Sequence, residues 1–232
     1  MATHKRRRHG HPQAPRCEDD DDDSEDTLLN KHNVRVVGNR IFFNAEVSHD
    51  SVFVLNYRLR KLEQEMLTQR GAVAEYLGVE DHAALPPAKP IELHVTSYGG
   101  NVDAAFSAVD CIRGLSVPVH TVVDGFVASA ATLITVAGAQ RAMAPNAYML
   151  IHELRSGLWG KMSEINDEHV NLTKVMDHIV SFYADNSHLT KKRLAKLLKS
   201  DINWNAQECL QHGLVDRVLE DAPSRQWPAA SE

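Results

Sequence analysis

The segment DGFVASAATLITVAGA, residues 124–139, places one serine, Ser129, among alanines where a turn gives way to an apolar helix. Two readings fit it. Small residues allow close helix packing, and they also leave room for a reacting group beside a nucleophile. A helix start offers free N–H groups and a dipole that favour developing negative charge. A serine hydroxyl attacks a carbonyl only when a base takes its proton, and near neutral pH that base is usually histidine. Of 13 histidines, His152 ends the apolar run YMLIH directly before a loop, where a strand delivers a side chain to the edge of a site. An aspartate must then orient the imidazole and stabilise its charged form. Asp201 lies on a connection between two helical segments, with Asp185 and Asp216 as alternatives in sequence. At SYGG, residues 97–100, glycines let the backbone approach a ligand closely. Each residue also has an ordinary role open to it: packing for the serine, a satisfied structural position for the histidine, a cap for the aspartate. Chain order does not decide, because triads occur in several orders.

The elements that must position these residues alternate. VRVVGNRIFF reads as a hairpin around Gly38-Asn39. Val52, Leu55, Leu59, Leu62 and Met66 recur at helical spacing, and the prolines of AALPPAKP end that pattern. IELHVTS reads as a strand and NVDAAFSAVDCIRGL as a helix stopped near Gly114. VPVHTVVD and AYMLIHE read as strands on either side of the Ser129 segment. A long helix starts at an expected N-cap, Ser163, with Ile165, Leu172, Val175, Met176, Ile179 and Tyr183 on one face. Val170, Val180 and Phe182 extend its apolar surface, a surplus that predicts contact with other subunits. TKKRLAKLLKS is a short basic helix, NAQECLQHG a helix with a capping box at Asn205 and Glu208 and a stop at Gly213, and LVDRVLE a last strand. Strands alternating with helices predict one α/β layered domain with crossover connections.

Composition narrows the function. With 232 residues, 43% hydrophobic, the chain can bury a sizeable core. Residues 4–16 hold five Lys/Arg and residues 18–26 hold eight acids, so residues 1–27 read as a disordered, block-charged tail. Without it the body carries 20 basic against 23 acidic residues, too little positive charge to suggest nucleic-acid binding. The domain is expected over 28–221 and a flexible tail over 222–232. Phe126–Ala139 is too short and too interrupted for a membrane span of ~20 residues, and the basic start lacks a signal peptide's apolar region. Cys17, Cys111 and Cys209 are widely spaced, which suggests reduced thiols and no zinc site, hence a cytoplasmic setting.

SYGGNVDAAFSAVDCI, VHTVVDGFVASAATLITVAGAQRAMAPNAYMLIHE and DINWNAQECLQHGLVDRV together resemble, in order and spacing, the proteolytic subunit of the ATP-dependent Clp protease (ClpP). The resemblance runs from about Arg40 to Leu219 and is nearest to the ClpP-like branch common in phages and mobile elements. It implies the ClpP/crotonase-type layered fold of repeated β-β-α units with a protruding handle helix. It implies a serine endopeptidase with Ser129 as nucleophile, His152 as base and Asp201 as orienting acid. The oxyanion hole would be the backbone N–H groups of Gly99 and Ala130. Substrate would add as a strand along Gly100, Asn101 and Val102 on one side and Leu154, Arg155 and Gly157 on the other. It implies no metal and no cofactor, heptameric rings that pair into a tetradecamer, and unfolded polypeptide as substrate. ATP would be used by a separate AAA+ unfoldase, since the chain has no Gly-x-x-x-x-Gly-Lys-Ser/Thr loop. Rings of this family can rest with a misaligned triad. The chain departs from the family at Tyr98 and at Glu153-Leu154, where prolines are common, in an expected insertion near 64–90, and in its charged tail. A non-catalytic scaffold subunit and a crotonase-type acyl-CoA enzyme are the competing functions.

Overall fold

The computed structural model describes residues 32–79 and 85–220. Both expected tails, Cys17 and the start of the proline loop lie outside the described residues. The chain order is β1 (Val34–Val37), β2 (Arg40–Phe43), α1 (His49–Leu77), β3 (Ile91–Ser97), α2 (Val102–Gly114), β4 (Val119–Ala128), α3 (Ala130–Val136), β5 (Gln140–Met143), β6 (Tyr148–Leu150), α4 (Met162–Asp185), α5 (Lys191–Leu197), β7 (Trp204–Asn205), α6 (Ala206–Gln211) and β8 (Arg217–Val218). This is the mixed α/β fold expected of the ClpP type.

In β3, Ile91, Leu93, Val95 and Ser97 are buried while the residues between them are only half-buried. That period-two pattern presents one face of the strand to the core. The sheet runs β1-β2-β3-β4-β5-β8. β1 and β2 pair antiparallel around Gly38-Asn39, as the hairpin signal predicts, and the other pairs on this path are parallel. The long helix α1 buries Val52, Leu55, Leu59 and Leu62, the stripe read from the sequence. It is locked at its start by Ser48 and Ser51, which cap one another's backbone N–H groups. Full burial of a side chain the size of Leu59 contributes about 1.5–3 kcal/mol.

β4 has two neighbours, and this brings the candidate residues together. His120–Val123 pair with β5, whereas Phe126–Ala128 pair with β6. The far end of β4 therefore leads into Ser129 beside the end of β6, two residues before His152.

Several expectations change. The chain does not turn at residues 124–128; β4 stays extended to Ala128, because pairing with β6 satisfies its backbone. β6 ends at Leu150, so His152 lies beyond the strand rather than on it. The long helix begins at Met162 with Lys161, not Ser163, as its N-cap; Glu164 accepts a hydrogen bond from the Lys161 backbone N–H at 3.0 Å. Phe182 is not surplus surface: it is buried, edge-on to Phe106 and Tyr183, with the Arg113 guanidinium 4.9 Å from its ring. α1 carries the helical pattern through Leu77 to a left-handed cap at Gly78, so much of the expected insertion near 64–90 is helix. Cys111 and Cys209 are buried and unpaired, and burial pushes the Cys209 thiol up to about 12, leaving it inert at neutral pH.

Candidate active site

Ser129 sits on the single residue between β4 and α3, with φ 54° and ψ −131°. A non-glycine residue in such a region costs on the order of 1–3 kcal/mol and persists only where its surroundings enforce it. Those surroundings are visible. The Ser129 N–H donates to the Leu150 carbonyl at 2.9 Å. Its own carbonyl accepts from the Thr132 N–H at 3.0 Å and from Thr132 Oγ1 at 2.5 Å. Because the single Thr132 hydroxyl proton goes to that carbonyl, Tyr183 must be the donor in the 2.5 Å contact between Thr132 Oγ1 and Tyr183 Oη. Burial raises the Tyr183 pKa, which keeps the phenol protonated for this role.

At the end of β3, Gly99 packs against the same elbow. Its φ is +95°, and a Cβ placed there would lie 2.6 Å from Ser129 Cβ, 2.7 Å from the Ala128 carbonyl oxygen and 3.1 Å from the Ala130 nitrogen. Only glycine brings the two backbones this close. The Gly99 N–H donates to Ser97 Oγ at 3.2 Å. Val47 clamps the turn from behind, donating to the Gly99 carbonyl at 2.8 Å and accepting from the Asn101 N–H at 2.7 Å.

A cavity of about 270 Å³ opens over Ser129. Ser129, Ala130, His152, Gly100, Val102, Leu154 and Arg155 all line it, and Leu133, Ile179 and Tyr183 give it an apolar wall. Asn101 does not line it; its side chain caps α2 through the Ala104 N–H at 2.8 Å. Gly99 borders an adjoining cavity of about 520 Å³, lined also by Ser97, Tyr98 and Gly100. Tyr98 is 83% exposed and packs on Phe126 at 5.2 Å between ring centres.

His152 Nδ1 lies 2.6 Å from the Glu153 carbonyl oxygen. A carbonyl only accepts, so Nδ1 carries a proton, and in the neutral ring the lone pair is then on Nε2, the tautomer a general base needs. The Glu153 N–H in turn donates to the Leu198 carbonyl at 2.7 Å, tying the segment after the histidine to the end of α5. The three expected triad members are not closed into one hydrogen-bonded chain. Among the described residues, the Asp201 carboxylate forms its ion pair with Arg155, on the lip of the Ser129 cavity, rather than with His152.

The alternative acids are elsewhere. Asp185 and Asp216 line a different cavity, of about 360 Å³, at the far end of α3 with Arg141 and His188. Asp216 accepts from the Arg141 backbone N–H at 2.8 Å and from its guanidinium at 3.1 and 2.5 Å. Burial works against the Asp216 charge, but the Arg141 hydrogen bonds and charge outweigh it and hold the pKa below the usual value. Asp216 is thus a structural anchor of β5 and β8.

Sequence reasoning missed the Glu153 carbonyl, Thr132 and Tyr183. The first is a backbone atom and has no residue signature. Tyr183 did carry a signal: a phenol within an apolar stripe needs a hydrogen-bond partner when buried. Among the described residues, no group of three or more His, Cys, Asp or Glu is placed to hold a metal ion, and no helix is long and apolar enough to cross a membrane.

The Clp protease family model matches residues 72–222. The ATP-dependent Clp protease proteolytic subunit 2 of Treponema denticola is 34% identical over 140 residues, which cover 60% of this chain and 70% of the relative. The ATP-dependent Clp protease proteolytic subunit of Streptococcus suis is 34% identical over 144 residues, 60% of this chain and 72% of the relative. Proteolytic subunit 2 of Gluconobacter oxydans is 28% identical over 192 residues, 76% of this chain and 86% of the relative. Since the family model spans more than half of its length, the chain belongs to the Clp protease family and is, as an enzyme, a serine endopeptidase.

Proposed function

We propose that the chain is a self-compartmentalising serine endopeptidase that cuts unfolded polypeptide with Ser129, His152 and Asp201. The observation that carries this reading is the elbow itself. Ser129 is held at positive φ against Gly99, and His152 lines the same cavity with Nε2 free to take a proton. In the proposed reaction, Nε2 removes the Ser129 proton as Oγ attacks the scissile carbonyl, then returns it to the leaving amine. Water repeats the attack on the acyl-serine ester. The oxyanion is met by the Ala130 N–H and by the Gly99 N–H, which exchanges Ser97 Oγ for it. One such donor is commonly worth about 10²–10³ in rate. Asp201 leaves Arg155 and replaces the Glu153 carbonyl on Nδ1, adding a negative charge beside the imidazolium that forms. The peptide backbone adds as a strand along Gly100–Val102 on one side and Leu154 to Gly157 on the other.

Assembly is part of the proposal. Leu158, Trp159, Met162 and Val170, at and along the first half of α4, are exposed in the single chain, as is Ile202. Such residues suit a heptameric ring that pairs with a second ring through α4. A separate AAA+ unfoldase would supply substrate in the cytoplasm. The test is peptide hydrolysis and particle mass on one sample. Ser129→Ala and His152→Ala are expected to assemble normally and to lose turnover by several orders of magnitude. Wild-type turnover in Ser129→Ala, or a monomer at micromolar concentration, contradicts the proposal.

A further inference from the structure

Arg155 occupies an unusual place. Arg155 lines the Ser129 cavity, and its guanidinium holds the Asp201 carboxylate. His152 Nδ1 is meanwhile held by the neutral Glu153 carbonyl, which fixes the tautomer but brings no charge to stabilise an imidazolium. The Asp201 carboxylate is thus engaged by a cation, and His152 Nδ1 by a neutral carbonyl. Side-chain exposure is 69% for Arg155 and 50% for Asp201, so a bound peptide can reach both.

We infer that Arg155 is a positioning residue that makes the enzyme prefer acidic peptides, because a substrate Glu or Asp takes the place of Asp201 on the guanidinium and frees Asp201 to turn to His152. The inference rests on the catalytic reading of Ser129, His152 and Asp201. The exchange is chemically even-handed: a planar guanidinium binds any carboxylate in the same forked geometry. The pair broken and the pair made are alike, and the difference is the released aspartate. Exposed ion pairs are weak and screened by salt. They hold a partner by a factor of about two to five, which sets the size of the effect.

The test uses the full chain and fluorogenic peptides in pairs that differ only by Glu or Gln near the cleaved bond. The wild type is expected to cut the Glu peptide with a kcat about two- to fivefold higher at low salt, and to lose that advantage in about 0.5 M salt. Arg155→Gln is expected to cut both peptides alike, and Arg155→Lys to retain part of the preference. A peptide-free readout accompanies this: at low salt a fluorophosphonate should label Arg155→Gln about two- to fivefold faster than the wild type. A Glu preference that survives in Arg155→Gln overturns the inference, as does labelling of that variant no faster than the wild type. Labelling or turnover that persists in Ser129→Ala overturns the catalytic reading instead, and the inference with it.

Discussion

Gly99→Ala separates the chemistry of the elbow from its stability. The added Cβ meets Ser129 Cβ at 2.6 Å and the Ala128 carbonyl oxygen at 2.7 Å, whereas ordinary contact begins at 3.4 Å. The neighbours are backbone and the serine's own Cβ, so relief requires a displacement of about 0.8 Å at Ser129 itself. Misplacement on the scale of 1 Å costs about 10²-fold in rate. The positive φ adds about 1–2 kcal/mol of strain for any L side chain, and overpacking about 1–3 kcal/mol more. Gly38→Ala is the control. Its φ is +61° and nothing lies within 4 Å of its Cβ, so it keeps the strain without the clash. It is expected to lose about 1–2 kcal/mol by urea denaturation and no activity. Phosphonate labelling rates and peptide hydrolysis read the chemistry of both variants. Gly99→Ala labelled at the wild-type rate refutes the close approach of Gly99 to the serine as a catalytic requirement.

Other outcomes follow from the same geometry. Asp201→Asn should preserve assembly and lower turnover by up to about 10⁴-fold, whereas Asp216→Asn should lower stability and leave the chemistry largely intact. Kinetics on the two variants, with urea midpoints, distinguishes these roles. The Asp216 pKa is depressed in the folded protein, so the unfolded chain binds the proton more readily. The stability it supplies is present above the usual carboxylate range and is lost as pH falls through its folded value. Urea midpoints taken from neutral to acid pH should therefore fall less steeply in Asp216→Asn than in the wild type. Tyr183→Phe removes the donor to Thr132 and should cost about 1 kcal/mol in the same assay, with a smaller loss of rate than Gly99→Ala.

The elements with strong local signals were legible before the structure. Gly38-Asn39 between β-branched runs specifies a hairpin, and IELHVTS coincides with β3 residue for residue. Asn205 and Glu208 form the capping box their spacing implies. β5 and β7 were not legible, because QRAM and WN are too short to show a period and exist only through pairing with β4, β8 and β6. The start of α4 shifted because a backbone N–H at Lys161, not a side-chain hydroxyl, closes its cap with Glu164. At the site, sequence spacing brought Ser129, His152 and Gly99 to one place through the forked pairing of β4. It could not show that Arg155 holds Asp201, since that contact joins two connections remote in sequence.

Identification of the residue modified by a fluorophosphonate tests the central claim most directly. The native protein is labelled, digested and mapped by mass spectrometry, with Ser129→Ala and heat-unfolded protein treated in parallel. A single adduct on Ser129, absent from both controls, is the predicted result. An adduct on another serine, or none in a sample that still hydrolyses peptides, contradicts it.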